Sequence, residues 1–262
     1  MGFFVLGLAV MYGLIILVLY TQQRRLIFHP PSIYVSPQGV GLNAQDIEIF
    51  LDKHGTATAW WIAPQDDKAV IVFFHGNASS VYSNYDIFRD LSDLGYGVLS
   101  VGYPGYPGSS GSPSQTSLVM SAQKHIEFLA KAKIQPDQIV YFGTSLGTGV
   151  AAQLAKTHPP SLLILDAPFN SMSDMVGMTV KLPGLKMFVK DPFRSDLALK
   201  AKTFPVLILH GTADRIIPVG QSKKLFESLT QPKSRHVIAG AGHTNLWGLG
   251  GREIILNALE TR

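Results

Sequence analysis

Short apolar runs alternate with longer amphipathic stretches along most of the chain. The short runs are rich in β-branched and aromatic residues and are bounded by glycine, proline or polar residues, which is typical of buried strands. They predict strands at residues 47–51, 57–62, 69–74, 98–103, 139–142, 161–165, 205–209 and 235–238. The longer stretches carry apolar residues at helical spacing. They predict helices at residues 82–94, 115–132, 146–157, 220–229 and 252–259.

Strands that alternate with helices indicate an α/β fold, in which a mostly parallel eight-stranded sheet is covered by helices on both faces. Ligands of such sheets bind beyond the carboxyl ends of the strands. Residues 169–204 interrupt the alternation between the sixth and seventh predicted strands, and they include four of the seven methionines: Met172, Met175, Met178 and Met187. We therefore expect a small cap inserted into the sheet domain.

The N-terminal stretch has the features of a membrane anchor. Residues 3–20 contain no charged side chain and would form a helix about 27 Å long, close to the thickness of a bilayer core. A cleaved signal peptide would need a basic segment before this stretch, but only Met1 and Gly2 precede it. The pattern favours an uncleaved transmembrane helix over a signal peptide or a buried core helix. Residues 1–25 are then the anchor and residues 26–262 the main domain.

Composition excludes several kinds of chemistry. With 262 residues, 46% of them hydrophobic, the chain is long enough for one large domain with an ample core. It has no cysteine, which excludes disulfide bonds and thiolate catalysis. No group of His, Asp and Glu residues has the spacing of metal ligands, and we expect neither a metal nor another cofactor. The net charge of +4 is not gathered into a dense basic stripe, so we expect no nucleic-acid partner.

A serine between two glycines follows the fifth predicted strand. Gly143, Thr144, Ser145, Leu146 and Gly147 form a G-x-S-x-G motif between the strand residues IVYF and an alanine-rich helical stretch. Such a tight strand-to-helix turn holds its serine in a strained backbone conformation and exposes the hydroxyl at the end of the sheet. Because a glycine-rich structural turn would have the same pattern, the hypothesis that Ser145 is a nucleophile depends on its partners.

Loops that follow other strands supply these partners. After the third predicted strand, His75 is followed by a glycine that lets the chain bend, so that the next backbone N–H points into the site. With the N–H of Leu146 it would form an oxyanion hole. Asp214 follows the seventh strand and His243 the eighth, which places an orienting acid and a base after the serine in chain order. Asp166, after the sixth strand, is the alternative acid.

Several longer motifs add a resemblance that runs from about residue 26 to the C terminus: QRRLIFHP, FFHGNA, GYPGYPGSSGSPS, GTSLGTGVA, DAPFNSM, PVLILHGTADRIIP and GHTNLWGLGG. In these motifs the chain resembles the α/β-hydrolase superfamily, and within it a membrane-anchored serine hydrolase branch that includes eukaryotic protein depalmitoylases. The resemblance implies that Ser145 is the nucleophile, His243 the base and Asp214 its orienting acid. It implies Asn77 and Leu146 as the oxyanion donors.

Taken together, these residues predict a membrane-anchored serine hydrolase whose catalytic domain, residues 26–262, cleaves carboxylic esters or thioesters through an acyl-enzyme. A serine aminopeptidase would use the same triad, but it would need an acidic site for the substrate amine, and the sequence does not reveal one. A scaffold that has lost activity is a further alternative, against which the complete set of catalytic residues argues.

The cap and the anchor indicate the substrate and the location. Methionine is flexible and suits an adaptable apolar pocket, so we expect Met175, Met178 and Met187 to bind a lipid or other small acyl substrate. We expect the cap to lean on the membrane. Arg24 and Arg25 follow the predicted single-pass helix, and basic residues beside such a helix favour the cytoplasmic side. The catalytic domain is therefore predicted to face the cytoplasm.

Overall fold

A computed structural model of the protein describes residues 2–52 and 55–262. Its first element is a long helix, α1 (Gly2–Ile27), none of whose residues is buried. Within the described part of the chain, α1 is the one helix that is long and apolar enough to cross a membrane. The helix continues past the apolar stretch through the polar sequence TQQRR, because nothing in that sequence breaks a helix.

The main domain is built on one eight-stranded sheet, and all eight predicted strands are confirmed, with ends that differ by a few residues. The strands are β1 (Gln45–Phe50), β2 (Thr56–Ile62), β3 (Val70–Phe74), β4 (Gly97–Val101), β5 (Ile139–Thr144), β6 (Leu162–Asp166), β7 (Val206–Gly211) and β8 (Lys233–Ile238). Their spatial order is β1-β2-β4-β3-β5-β6-β7-β8. The first two strands pair antiparallel, and β2 pairs antiparallel with β4. Every other neighbouring pair is parallel.

Helices cover both faces of this sheet, as the alternating pattern predicts. They are α2 (Tyr85–Asp93), α3 (Gln115–Lys131), α4 (Leu146–Leu154), α5 (Met172–Thr179), α6 (Ser195–Ala198), α7 (Gly220–Ser228) and α8 (Gly251–Thr261). The central strand β3 shows the two-sided burial: Val70, Val72 and Phe74 pack into the core under α3, α4 and α7. Ile71 and Phe73 pack into a second core under α2 and α8. A strand that is buried on both faces has a continuous apolar sequence, and β3 has such a sequence, VIVFF.

Residues 169–204, the predicted cap, lie between β6 and β7 and contain α5, a 3-10 turn (Leu185–Phe188) and α6. The N-terminal helix lies against this region. The hydroxyl of Tyr12 donates a hydrogen bond to the carbonyl of Pro183, and the guanidinium of Arg24 pairs with Asp191 at 2.9 Å. Just after the helix, Phe28 is buried with its ring centroid 6.5 Å from that of Phe193. The helix is therefore docked onto the cap rather than separated from it.

Candidate active site

Ser145 lies at the junction of β5 and α4, at the carboxyl edge of the sheet. Its backbone has φ 51° and ψ −118°, a conformation that a residue with a side chain rarely adopts. Its backbone N–H donates to the carbonyl of Asp166 at 3.0 Å, which ties the turn to the neighbouring strand. Ser145 therefore has the strained backbone that the sequence pattern predicts for an exposed nucleophile.

The glycines of the motif are required by the close approach of helix and strands. A Cβ atom on Gly147 would lie 1.9 Å from the carbonyl oxygen of Phe74 in β3. A Cβ atom on Gly143 would lie 2.6 Å from the carbonyl oxygen of Gly147. Both distances are far shorter than a non-bonded carbon–oxygen contact allows. Only glycine at these two positions lets α4 start directly against β3 and β5.

Three side chains from separate loops meet at this edge. The hydroxyl oxygen of Ser145 lies 2.9 Å from Nε2 of His243, and Nδ1 of His243 lies 2.7 Å from Oδ2 of Asp214. The His243 side chain is slightly exposed, whereas that of Asp214 is fully buried. These distances allow a proton to pass from Ser145 to His243 while the carboxylate orients the ring.

The carboxylate of Asp214 is held by its own loop. Its Oδ1 accepts hydrogen bonds from the backbone N–H groups of Ile216 at 2.8 Å and Ile217 at 2.9 Å. Burial raises the pKa of Asp214, but the hydrogen bonds from His243, Ile217 and Ile216 outweigh it, so the pKa lies below its ordinary value. Asp214 is therefore ionised at neutral pH, the state in which it stabilises a protonated His243.

The buried side chain of His210 contacts the loop that contains Asp214. Its Nε2 donates to the carbonyl of Ile217 at 2.9 Å and lies 3.3 Å from Oδ2 of Asp214. Burial lowers the pKa of His210, so its ring is neutral at pH 7. The sequence indicates only that His210 braces a loop, since it stands before a glycine at a strand end. Its contact with Asp214 depends on the path of the loop and has no signal in the sequence.

Asp166, the alternative acid, also lies near this edge but does not pair with His243. Its Oδ1 is buried without a hydrogen-bond partner in the described part of the chain. Burial, followed by the negative charge of Asp214, raises the pKa of Asp166 to about 8. Asp166 is therefore protonated at pH 7, and the geometry brings Asp214 rather than Asp166 to the imidazole.

The loop after β3 passes beside the serine. A Cβ atom on Gly76 would lie 3.4 Å from Cβ of Ser145, so this loop is in contact with the turn. Asn77 and Leu146, the residues predicted to form an oxyanion hole, line the same cavity as Ser145. The Asn77 side chain accepts from the N–H of His29 at 2.9 Å and from the hydroxyl of Tyr106 at 2.9 Å. Asn77 thus also fastens the segment that follows α1.

A cavity of about 440 Å³ opens at Ser145, a size within the usual range of small-molecule sites. Of the three methionines predicted to bind substrate, Met175 lines it, together with Met172. Met178 accepts a hydrogen bond at sulfur from Gln221, and Met187 is 85% exposed, so neither lies on the wall. The rest of the wall is mainly apolar and comes from α1, the loop after it, the cap and the Asp214 loop: Leu19, Tyr20, Gln23, Leu26, Ile27, His29, Phe169, Val176, Thr179, Val180, Leu185, Phe188, Val189, Ile216 and Ile217.

Among residues 2–52 and 55–262, no three His, Cys, Asp or Glu side chains are grouped so that they could hold a metal ion. The chemistry available at this site is that of a hydroxyl, an imidazole and a carboxylate next to an apolar cavity. The sheet order and the strand-to-helix serine turn define a class of protein, a hydrolase built on an α/β sheet.

Sequence comparisons agree with this class. Residues 69–187 match a family model described as alpha/beta hydrolase fold, and residues 194–247 match one described as serine aminopeptidase, S33. The chain is 30% identical over 250 residues to an uncharacterized protein of Mycobacterium tuberculosis, covering 94% of this chain and 89% of that protein. It is 30% identical over 279 residues to the alpha/beta hydrolase domain-containing protein WAV2 of Arabidopsis thaliana, covering 95% and 89%. The protein belongs to the α/β-hydrolase superfamily.

Two further similarities concern esterases and lipases. The chain is 34% identical over 190 residues to lysophosphatidylserine lipase ABHD12 of Danio rerio, covering 65% of this chain and 50% of the lipase. It therefore spans about half the length of that relative. Among solved structures, an esterase of Pyrococcus furiosus superposes with a TM-score of 0.71 at 19% identity, covering 89% of this chain and 96% of the esterase. This second similarity shows the shared fold.

Proposed function

We propose that the protein is a membrane-anchored serine hydrolase that cleaves carboxylic ester or thioester bonds of acyl or lipid-type substrates. The single observation that carries the proposal is the chain of contacts from Ser145 through His243 to Asp214, at 2.9 Å and 2.7 Å, at the mouth of an apolar cavity. The lipase name of a similar protein supports the same substrate class.

The proposed reaction has two halves. Nε2 of His243 takes the proton of Ser145 as the serine oxygen attacks the substrate carbonyl carbon. The backbone N–H groups of Asn77 and Leu146 stabilise the resulting oxyanion. When the tetrahedral intermediate collapses, the protonated His243 gives its proton to the leaving alcohol or thiol. Water then attacks the acyl-enzyme with His243 again as base, which releases the carboxylic acid and restores Ser145.

A serine aminopeptidase is the second candidate, since one of the matching family models has that description. Such an enzyme needs a carboxylate near the nucleophile to bind the free amine of its substrate. None of the described residues that line the cavity at Ser145 is Asp or Glu. The apolar wall therefore favours an acyl chain over a charged amine.

The anchoring of the protein is part of the proposal. Residues 1–25 would form the anchor and residues 26–262 the catalytic domain with its cap, although the helix itself runs on to Ile27. The length and apolar composition of α1 support membrane insertion. Arg24 and Arg25 at its C-terminal end support a catalytic domain on the cytoplasmic side.

The test of the proposed chemistry uses the full-length protein in detergent and a fluorophosphonate probe, with esters, thioesters and aminoacyl anilides as substrates. Ser145→Ala should abolish probe labelling and lower ester turnover by roughly a thousandfold or more, because the nucleophile is removed. Ser112→Ala, at an exposed loop serine, is the matched control and should retain both. Ester turnover that survives Ser145→Ala would refute the nucleophile, and a preference for aminoacyl anilides would favour the peptidase.

A further inference from the structure

The N-terminal helix forms one wall of the cavity that contains Ser145. Five of its residues line this cavity: Leu19, Tyr20, Gln23, Leu26 and Ile27. They recur three or four positions apart, or next to one another, and therefore share one face of the helix. The wall extends about 12 Å along the helix axis. A helix that served only to hold the domain at a membrane would not need to contribute to the site.

One end of this wall lies at the catalytic serine. The carbonyl of Ile27 accepts a hydrogen bond from the side chain of Asn77, which borders the cavity together with Ser145. Leu19 lies about two turns further toward the helix N terminus. The cap residues Val176 and Val180 face the same space. Leu19 is therefore at the end of the cavity wall that is farthest along the helix from the serine.

Polar contacts hold this wall in position. The side-chain amide of Gln23 donates to the carbonyl of Phe188 at 3.1 Å, and its oxygen accepts from the N–H of Lys190 at 2.7 Å. The ammonium of Lys190 lies 3.9 Å from the centroid of the Tyr20 ring. Gln23 thereby satisfies two backbone groups of the cap. Helix and cap form the two sides of one cavity.

The cap lies beside α1 from Tyr12 to Gln23. Tyr12 is bonded to Pro183, so the part of α1 beyond the cap is Gly2–Met11, about 15 Å long. A bilayer core is about 30 Å thick, so this free part would cross only about half of it. If α1 spans the bilayer, residues from Tyr12 to Leu19 and the cap turn beside them must lie at lipid depth. The exposed side chains of Met187 and Phe188 on that turn fit such a position.

We propose that the acyl chain of the substrate passes directly from the bilayer into the cavity between α1 and the cap, and that Leu19 limits the length of chain that fits. This inference rests on the proposed function, because it assumes an acyl substrate at Ser145. It makes the N-terminal helix part of the acyl-binding site. Leu19 is a specificity-determining residue that contacts the substrate chain far from the reacting atoms.

The first test compares hydrolysis of p-nitrophenyl palmitate and p-nitrophenyl butyrate by the full-length protein in phosphatidylcholine vesicles. Leu19→Trp should lower the ratio of palmitate to butyrate hydrolysis at least tenfold, because the indole blocks the distal end of the cavity. Leu17→Trp is the matched control, since Leu17 is 55% exposed, lies on the same helix and does not line the cavity. Leu19→Ala should shift the preference toward longer chains, which keeps the test valid if the tryptophan variant folds poorly. Equal chain-length profiles for all variants would overturn the inference.

The second test does not depend on turnover. In the Ser145→Ala protein, a photoreactive palmitate at low density in the same vesicles should crosslink to the face of α1 that contains Leu19. Excess palmitate should suppress this crosslinking, because the site saturates, whereas crosslinking to the Leu17 face should persist as ordinary lipid contact. If wild-type protein hydrolyses neither ester, the proposed function fails while this measurement still decides the inference. If crosslinking occurs at both the Leu19 face and the Leu17 face of α1 and excess palmitate suppresses neither, the proposed acyl site is refuted.

Discussion

The guanidinium of Arg24 lies 2.9 Å from the carboxylate of Asp191, a side chain that is only 2% exposed. The same carboxylate accepts a hydrogen bond from the backbone N–H of Gln115 at 2.8 Å. One buried charge therefore connects the end of α1, the cap and the first turn of α3. A buried carboxylate is tolerated only when it is paired and hydrogen-bonded. Docking of the helix is consequently coupled to the stability of the cap.

Arg24→Ala should destabilise the helix–cap contact. Because Arg24 is half-exposed, solvent screens the ion pair. The expected loss in the free energy of unfolding is therefore about 1–3 kcal/mol, below the cost of breaking a fully buried pair. Thermal unfolding in detergent measures this loss, and proteolysis near residues 181–190 should become faster. Arg25→Ala is the control, since Arg25 is exposed, and it should change stability by less than about 0.5 kcal/mol. Equal effects of the two variants would contradict the coupling.

Asp214→Asn should lower turnover by about four orders of magnitude, because an amide cannot stabilise a protonated His243 or fix its tautomer. Asp166→Asn should leave turnover within a few-fold of wild type, since Asp166 is protonated at pH 7 and does not bond the imidazole. Steady-state kinetics with one soluble ester measures both. The opposite ranking of the two variants would identify Asp166 as the acid.

Asp166 should make folding stability depend on pH. Its folded pKa of about 8 lies above its ordinary value, so the folded protein retains a proton that the unfolded chain loses near pH 4. Stability contributed by the protonated form is fully present below the unfolded pKa and is lost as pH rises from about 4 to about 8. Asp166→Asn should remove this decline and raise stability at pH 8.

Denaturant unfolding of wild type and Asp166→Asn at pH 5 and pH 8 checks this expectation. The difference between the two proteins should be larger at pH 8 than at pH 5. A difference that does not change with pH would show that Asp166 is ionised in the folded protein across this range.

Gly147→Ala should prevent correct folding of the serine turn. The added Cβ atom would overlap the carbonyl of Phe74 at 1.9 Å, and a strand backbone at the centre of the sheet cannot move away. The expected loss is about 3 kcal/mol or more, measured by thermal unfolding. Gly220→Ala, where a Cβ meets nothing within 4 Å, is the matched control. A stable Gly147→Ala protein with wild-type activity would refute the close approach.

Reporter fusions test the predicted orientation. A C-terminal reporter that is active only in the cytoplasm should give signal, because Arg24 and Arg25 lie at the C-terminal end of α1. Arg24→Ala and Arg25→Ala should each lower the signal, because the bias depends on the number of basic residues beside the helix. Signal from a reporter active only outside the cytoplasm would place the catalytic domain on the other side.

Local sequence determined the sheet and the position of the serine. Continuous apolar runs such as that of β3 have one stable role in an α/β protein, which is a strand buried on both faces. The order of Ser145, Asp214 and His243 was visible because each residue lies in a loop after a strand: Ser145 directly follows β5, Asp214 lies shortly after β7 and His243 shortly after β8. Helix ends were less accurate: residues 82–84 and 155–157 were predicted as helix but lie in turns, where backbone bonds to nearby carbonyls compete with the helical ladder.

The shape of the cavity was decided by tertiary structure alone. Nothing in the methionine spacing of the cap shows that Met175 lines the cavity at the serine while Met178 contacts Gln221 and Met187 is exposed. The same holds for the N-terminal helix, whose apolar sequence indicates a membrane anchor but not a wall of the site. Arg24 and Asp191 are separated by 167 positions, as are Gln23 and Lys190. Contacts of this kind depend on how distant elements pack, and periodicity describes only neighbours along the chain.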